Sequence, residues 1–419
     1  MTNYMTNYII EFLLRDKAYV KYVGYTKDVS EWKNYKVVIV PSEFFDFHKA
    51  GTPLAPHTPL EKLSGTPILF GTPSVSKTDD LVVIKADLIA SSFYLLSRYE
   101  ELIVTKRDNH GRFSAIDSIA VKEDFLHRPI VDEYGVILRE ALRSVGVNIP
   151  EPENKMSVVL THDVDVPFVY RSFMSILGGI RRGEFKQLFK NIFRTLEKNT
   201  FFTFPWLLQQ DNRLKNARKI YFLRNPLFPE YYDRPYIKIE SSDMRRLLRI
   251  LKKNDVELGL HVSYASADHL ELVKQEKVSI EKVLGKTLTA NRNHYLRLKS
   301  NKQLEALIDA GIKEDFTIGF AEMPGFRLGT CHPVKYINPE TLKVEDLILH
   351  PLTMMDGSFS KYACMDYDQA YLCACNLIEQ VRRFGGELVL LWHNSEVRKG
   401  NYHRKLYKNV ISYIENEKN

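Results

Sequence analysis

The sequence predicts an α/β protein: a parallel sheet or barrel fills its C-terminal part, and a smaller α/β unit precedes it. Three observations carry this reading. From about residue 155 onward, strand-like and helix-like stretches alternate over about 260 residues, the pattern of repeated βα units. Three of the strands run directly into acidic or histidine residues: Thr161-His-Asp-Val-Asp165, Gly259-Leu-His-Val-Ser-Tyr264 and Leu391-Trp-His-Asn394. Between the two parts lies Ile149-Pro-Glu-Pro-Glu-Asn154, whose composition is that of a linker and divides a unit 1–150 from a unit 151–419.

A chain of 419 residues is too long for one ordinary core. Its 44% hydrophobic and 26% charged content is that of a folded globular protein. The first apolar run, Ile9–Leu14, is interrupted by Glu11 and followed by Arg15, Asp16 and Lys17, too short and too charged for a signal peptide or a spanning helix. The expected location is therefore cytoplasmic. The repeated Met-Thr-Asn-Tyr at the start reads as a frayed terminus. Four cysteines do not make a disulfide framework in a chain of this size, and Cys373 and Cys375 read as core residues of a helix. The net charge of +7 reads as a solvated basic surface, and no motif supports nucleic-acid binding.

In the first unit, Lys36–Val40 and Leu81–Ile84 are short β-branched runs that predict buried strands. Leu88–Leu102 has helical spacing, and the Pro, Thr and Gly of 51–76 predict a loop. This unit shows no nucleotide fingerprint and no metal-spaced cluster. In the second unit, Met156–Thr161, Lys219–Leu223, Val256–Leu260 and Glu387–Trp392 predict strands, and Ser242–Asn254 predicts a capped helix. Between the first two of these strands, roughly residues 168–218 form a helical, basic insertion with interleaved aromatics. Lys186, Lys190, Arg194 and Lys198 recur in it at four-residue steps. An amphipathic helix pair packed on the sheet is the expectation, with a peripheral membrane or polyanion contact as the alternative.

In parallel α/β folds, side chains at the carboxyl ends of strands converge on one face. Asp163, Asp165, His261 and His393 are thus the raw material for a mononuclear metal site with a base and an acid beside it. Each has an ordinary reading as well: the aspartates as helix caps, the histidines as hydrogen-bonded residues of the core or a strand end.

The order and context of these segments resemble the polysaccharide deacetylase (NodB-homology) family over roughly residues 155–400. The resemblance implies a deformed (β/α) barrel and the metal-dependent hydrolysis of an N-acetyl group on a sugar or glycan precursor. Thr161–Asp165 is similar to the family's first motif, which implies Asp163 as catalytic base and Asp165 as metal ligand. His261 matches the first histidine of the second motif. Arg292-Asn-His-Tyr295 resembles the third, whose arginine orients the base. Asp315 with Phe326–Thr330 loosely occupies the place of the fourth, and Leu391-Trp-His393 matches the motif whose histidine is the general acid. The Tyr295 backbone N–H is then the candidate oxyanion donor, and Trp392, Tyr264 and Tyr295 are candidates to stack on the sugar. The implied cofactor is a divalent metal, zinc first. The chain together with Arg98–Glu101 and Asn109–Phe113 looks like a subgroup associated with bacterial surface polysaccharides.

One departure matters. The family carries a second histidine four residues after the first, and this chain has Ala265 there. Ser263, Ser266, His269 and His294 are the nearby substitutes, with His294 and Ser266 the leading candidates for the third ligand. The missing histidine also keeps open a non-catalytic relative that binds glycan or a partner in polysaccharide assembly. A hydrolase of another C–N amide is the remaining alternative.

Overall fold

The computed structural model describes residues 3–171, 173–192 and 195–416. Its centre is a nine-stranded, mostly parallel sheet curled as a half-barrel. A second, four-stranded sheet comes earlier in the chain, in the order β1-β2-β6-β5. That sheet is built from β1 (Val23–Tyr25), β2 (Val37–Ile39), β5 (Gly71–Lys77) and β6 (Val82–Ala86). A small ladder of β3 (Lys62–Leu63) and β4 (Thr66–Pro67) lies between β2 and β5. The expected strands fall at β2 and β6, which are parallel and buried. The stretch 51–76 is only partly loop: β5 pairs antiparallel with β6, its side chains mostly exposed, as an edge strand's are. The predicted helix from Leu88 breaks at Arg98, whose φ of 60° ends the segment Leu88–Leu96 before a short turn Glu100–Ile103.

The chain start is a correction. Asn3–Leu14 is a helix whose Met5, Ile9, Ile10 and Leu13 are buried at helical spacing, so the apolar run is a core face. Met1 and Thr2 lie outside the described residues. Among the described residues no helix is long and apolar enough to cross a membrane.

The large sheet has the order β12-β13-β11-β10-β9-β8-β7-β15-β14. Its strands are β7 (Ser157–Val164), β8 (Arg218–Leu223), β9 (Glu257–Val262), β10 (Ala290–Asn293) and β11 (Glu314–Asp315). They continue with β12 (Val334–Ile337), β13 (Val344–Leu349), β14 (Met354–Met355) and β15 (Glu387–Leu391). All neighbours pair in parallel except β12 with β13. The expected βα alternation is thus present, as an open curled sheet with β12 and β14 at its edges among the described residues. Ser241 caps the helix Ser242–Lys253 by accepting the Met244 N–H, as its position before an apolar-periodic run predicts.

Strand alternation decides which side chains reach the site. Along β7, Val159, Thr161 and Asp163 project to one face, and His162 to the other. His162 is buried between the Trp392 carbonyl (Nδ1 at 2.7 Å) and Asp211 (Nε2 at 3.1 Å), within a core that also holds Tyr221 and Tyr407 on Asp211.

The opposite, amino ends of the strands carry a charged network. Arg218, Glu257, Glu314 and Glu387 are the first residues of β8, β9, β11 and β15. Arg218 pairs with both Glu257 and Glu314, and His350 lies 2.6 Å from Glu387 and 3.1 Å from Glu314. Burial alone would lower the His350 pKa, but the two glutamates outweigh it and raise it to about 9. A pKa raised in the folded state contributes stability that is complete below about 6.5 and is lost as pH climbs through about 9. Denaturant unfolding should therefore show stability falling across that window, and His350→Gln should flatten the fall. An unchanged pH profile in the variant would dissociate His350 from it.

Candidate metal centre

Three strand ends meet at the carboxyl edge of the large sheet. Asp163 and Asp165 come from the end of β7, His261 from β9, and Arg292 and His294 from β10 and the turn after it. His393 arrives after β15. The structure brings all of them together. Asp165 Oδ1 lies 3.2 Å from His261 Nε2 and 3.5 Å from His294 Nε2. His393 Nε2 is 3.6 Å from Asp165 Oδ2 and 4.0 Å from Asp163 Oδ2.

The tautomer of His261 follows from its other nitrogen. Nδ1 lies 2.8 Å from the Arg292 carbonyl, which can only accept, so Nδ1 carries a proton, and in the neutral ring the lone pair of Nε2 faces the carboxylates. That Nε2 and Asp165 Oδ1 are buried and make no hydrogen bond. Unsatisfied buried acceptors are costly unless something positive sits between them. Asp165, His261 and His294 offer three ligand atoms within 4.8 Å of one another. Three protein ligands with room for water is the donor set of a catalytic zinc site, so these residues fit a divalent cation.

Of the two candidates for third ligand, His294 is the one that converges on Asp165. The Ser266 hydroxyl instead donates to the Ser263 carbonyl at 2.6 Å, within its own turn. Two groups found only in the structure set the state of His294. Asp233 Oδ1 lies 3.3 Å from His294 Nδ1, a carboxylate behind a ligand histidine. Arg224 Nη1 lies 2.9 and 3.1 Å from the two ring nitrogens. Burial first, and then Arg224, lower the His294 pKa to about 4, so the ring is neutral as a ligand must be.

Asp163 has a separate set of partners. Arg292, fully buried, donates from Nη1 to Asp163 Oδ1 at 3.1 Å and to Thr161 Oγ1 at 2.7 Å, and from Nε to the Phe316 carbonyl. Its guanidinium lies 4.8 Å from the centre of the Phe222 ring. Gly259 makes that possible, since a Cβ there would sit 2.5 Å from the Phe222 ring. His393 is held by Asp356, which accepts both its backbone N–H at 2.7 Å and Nδ1–H at 2.9 Å. Burial would lower the His393 pKa, but Asp356, with Asp165 and Asp163, raises it to about 10.

Two stacking candidates are corrected. Trp392 is 0% exposed, in the core cluster with Phe359 and Tyr407. As the residue between Leu391 and His393, it faces away from the site. Tyr264 is 4% exposed, and its ring lies 3.9 Å beneath the Arg297 guanidinium. Tyr295 alone of the three keeps an accessible ring, 36% exposed, 4.7 Å from His294 between ring centres. Asp315, the loose fourth-motif match, is buried and bonded to Asn291 and Thr317.

A second group, Asp132 with Cys331 and His332, also has ligand atoms close together. Arg15, Thr330 and the Cys331 N–H already engage both Asp132 oxygens, so it reads as a structural ion pair.

A model of a family of unknown function (DUF7033) matches residues 2–146. No curated protein matches the chain. Five chains of solved structures match it. One, called a "putative polysaccharide deacetylase", from Mycobacterium smegmatis, is 15% identical with a TM-score of 0.43. It covers 64% of this chain and 87% of its own. Likeness that distant carries no weight for fold or activity.

If Trp392 is a core residue, Trp392→Ala should lower unfolding stability by about 3–5 kcal/mol. The check is denaturant unfolding beside metal binding. Lost stability with metal affinity kept fits the core assignment, whereas intact stability contradicts it.

Proposed function

We propose that the chain is a metal-dependent carbohydrate N-deacetylase. The observation that carries this reading is the pair of buried, unpaired acceptors, Asp165 Oδ1 and His261 Nε2, flanked by a carboxylate held by Arg292 and a histidine held by Asp356. Asp165, His261 and His294 would hold the cation. When bound, it supplies a more acidic water, with the pKa brought from about 15.7 towards roughly 7, and polarises the amide carbonyl. Zinc is the first candidate on the donor set.

The chain's own residues then divide the proton work. Asp163, fixed by Arg292, accepts the proton of the attacking water. His393, protonated at neutral pH because of Asp356, gives a proton to the departing amine as the C–N bond breaks. The Tyr295 N–H is the candidate oxyanion donor, and the exposed Tyr295 ring is the remaining surface for a sugar to stack on. The products are acetate and a free amino sugar. The division of the chain at about residue 150 belongs to this proposal and is supported by the two separate sheets.

The test is metal analysis of the purified chain, then acetate release from N-acetylglucosamine oligosaccharides with zinc added. Asp163→Asn and His393→Ala should each lower kcat by roughly 10²- to 10⁴-fold while zinc still binds. Zinc binding without acetate release would move the reading to another amide, and failure to bind any divalent metal would move it to a non-catalytic binding role.

The basic insertion supports a partner within the same proposal. Helices Phe173–Arg181 and Phe185–Asn191 pack through Gly179, where a Cβ would meet Leu188 at 3.2 Å and the Tyr170 ring at 2.7 Å. Their outer faces expose Leu177, Ile180, Phe185 and Phe189 beside Arg181, Arg182, Lys186 and Lys190. Arg194, part of the four-residue basic pattern, lies outside the described residues. Exposed apolar rings between cations suit the surface of an anionic membrane. Sedimentation with phosphatidylcholine vesicles, with and without phosphatidylglycerol, checks this. Lys186→Gln/Lys190→Gln should weaken binding to the anionic vesicles by about 25-fold, at about 5-fold per charge. Equal binding to neutral vesicles, or none to either, removes the partner.

A further inference from the structure

The turn that carries His294 is conformationally strained. The next two residues, Tyr295 (φ 63°) and Leu296 (φ 50°), are both left-handed and neither is glycine. Such residues persist where surrounding contacts leave the backbone no alternative. Much of that restraint comes from a segment nearly two hundred residues earlier, Asp108–Arg112. Arg112, 6% exposed, donates from Nη1 to the Tyr295 carbonyl at 2.8 Å.

Arg112 is itself fixed. Asp108 accepts its Nε–H at 2.8 Å and its backbone N–H at 2.9 Å, and also takes the His110 N–H at 2.8 Å. Gly111, at φ 78°, closes this small turn. On the other side, Arg297 donates to the His110 carbonyl at 2.8 Å and to the Tyr264 carbonyl at 2.7 Å. The His110 ring lies 4.9 Å from the Tyr295 ring, with Nδ1 3.1 Å from the Tyr264 hydroxyl. The left-handed turn is thus clasped on both sides.

We propose that Asp108–Arg112 is a positioning element for the metal centre, with Arg112 and His110 holding turn 294–296 so that His294 stays aimed at Asp165 and His261. This gives a role to a stretch of the N-terminal 146 residues, and it rests on the metal-centre reading above. Arg112 bonds Asp108 and the Tyr295 carbonyl and none of the three proposed ligands. It acts through the backbone of Tyr295.

The test uses the full chain, with Zn²⁺ affinity measured by chelator competition and the visible spectrum of the Co²⁺-loaded protein as a report on coordination. Arg112→Ala should weaken Zn²⁺ binding by about 10- to 100-fold, the usual effect of removing an outer-shell partner, and alter the Co²⁺ spectrum. Arg112→Lys, which keeps one donor for the carbonyl, should recover part of the loss. Should Arg112→Ala fail to fold, His110→Ala gives the same reading through the ring contact. Wild-type affinity and spectrum in these variants, with binding lost in His294→Ala, would overturn the positioning role and leave the metal centre standing. A wild-type chain that binds neither ion would overturn the metal centre and the positioning role together.

Discussion

Arg292 has no contact with solvent, and a guanidinium cannot shed its proton in a protein interior. Its charge has to be met by an anion, and Asp163 is the carboxylate it reaches, across β9 and β8 and over the face of Phe222. Losing one member of a buried pair leaves an uncompensated charge, at a cost of about 3–5 kcal/mol. The pair therefore fixes the Asp163 carboxylate in place and ties β7 to β10. Gly259 and Phe222, on the strands between, have to leave the guanidinium its path. A carboxylate acting only as a helix cap would need none of this.

The charges around the site balance unequally, and the inequality is chemical. Asp163 is matched by Arg292, and Asp356 by His393. Asp233 lies beside His294 and Arg224. Asp165 is different: its Oδ1 faces two imidazole nitrogens, one of them a bare lone pair, and makes no hydrogen bond. A fold satisfied by its own side chains would not leave that atom open. Arg224, 3.9 Å away, eases the local negative charge without closing the position.

How much of this was legible in the sequence follows from which elements carry it. Asp163, Asp165, His261 and His393 each sit at the end of a long apolar strand, and parallel topology sends such ends to one edge, so their meeting could be read from pattern alone. Trp392 could not be read from its neighbour. Adjacency to His393 suggested a place at the site, but period-2 alternation puts it on the opposite face. Asp356 follows a two-residue strand, Met354–Met355, too short to leave a periodic signal. Asp233 and Arg224 come from the irregular stretch after β8, where no spacing rule applies. The start of the chain misled for a simpler reason: a repeated tetrapeptide resembles a frayed end, yet Met5, Ile9 and Leu13 repeat at four-residue steps and the helix is core.

The candidate third ligand shows what sequence spacing conceals. At position 265, four residues after His261, the chain has alanine, and Ala265 is buried at the start of a tight turn. A side chain that reaches the same neighbourhood must then come from another strand, and β10 is adjacent to β9 with Arg292 opposite His261. His294 lies just beyond that register, its ring centre 5.1 Å from that of His261. Arriving there requires the chain to turn sharply straight afterwards, into the left-handed pair Tyr295 and Leu296. A histidine at a strained strand end thus needs anchoring from outside its own strand. Arg112 and Arg297 supply that anchoring through the Tyr295, His110 and Tyr264 carbonyls.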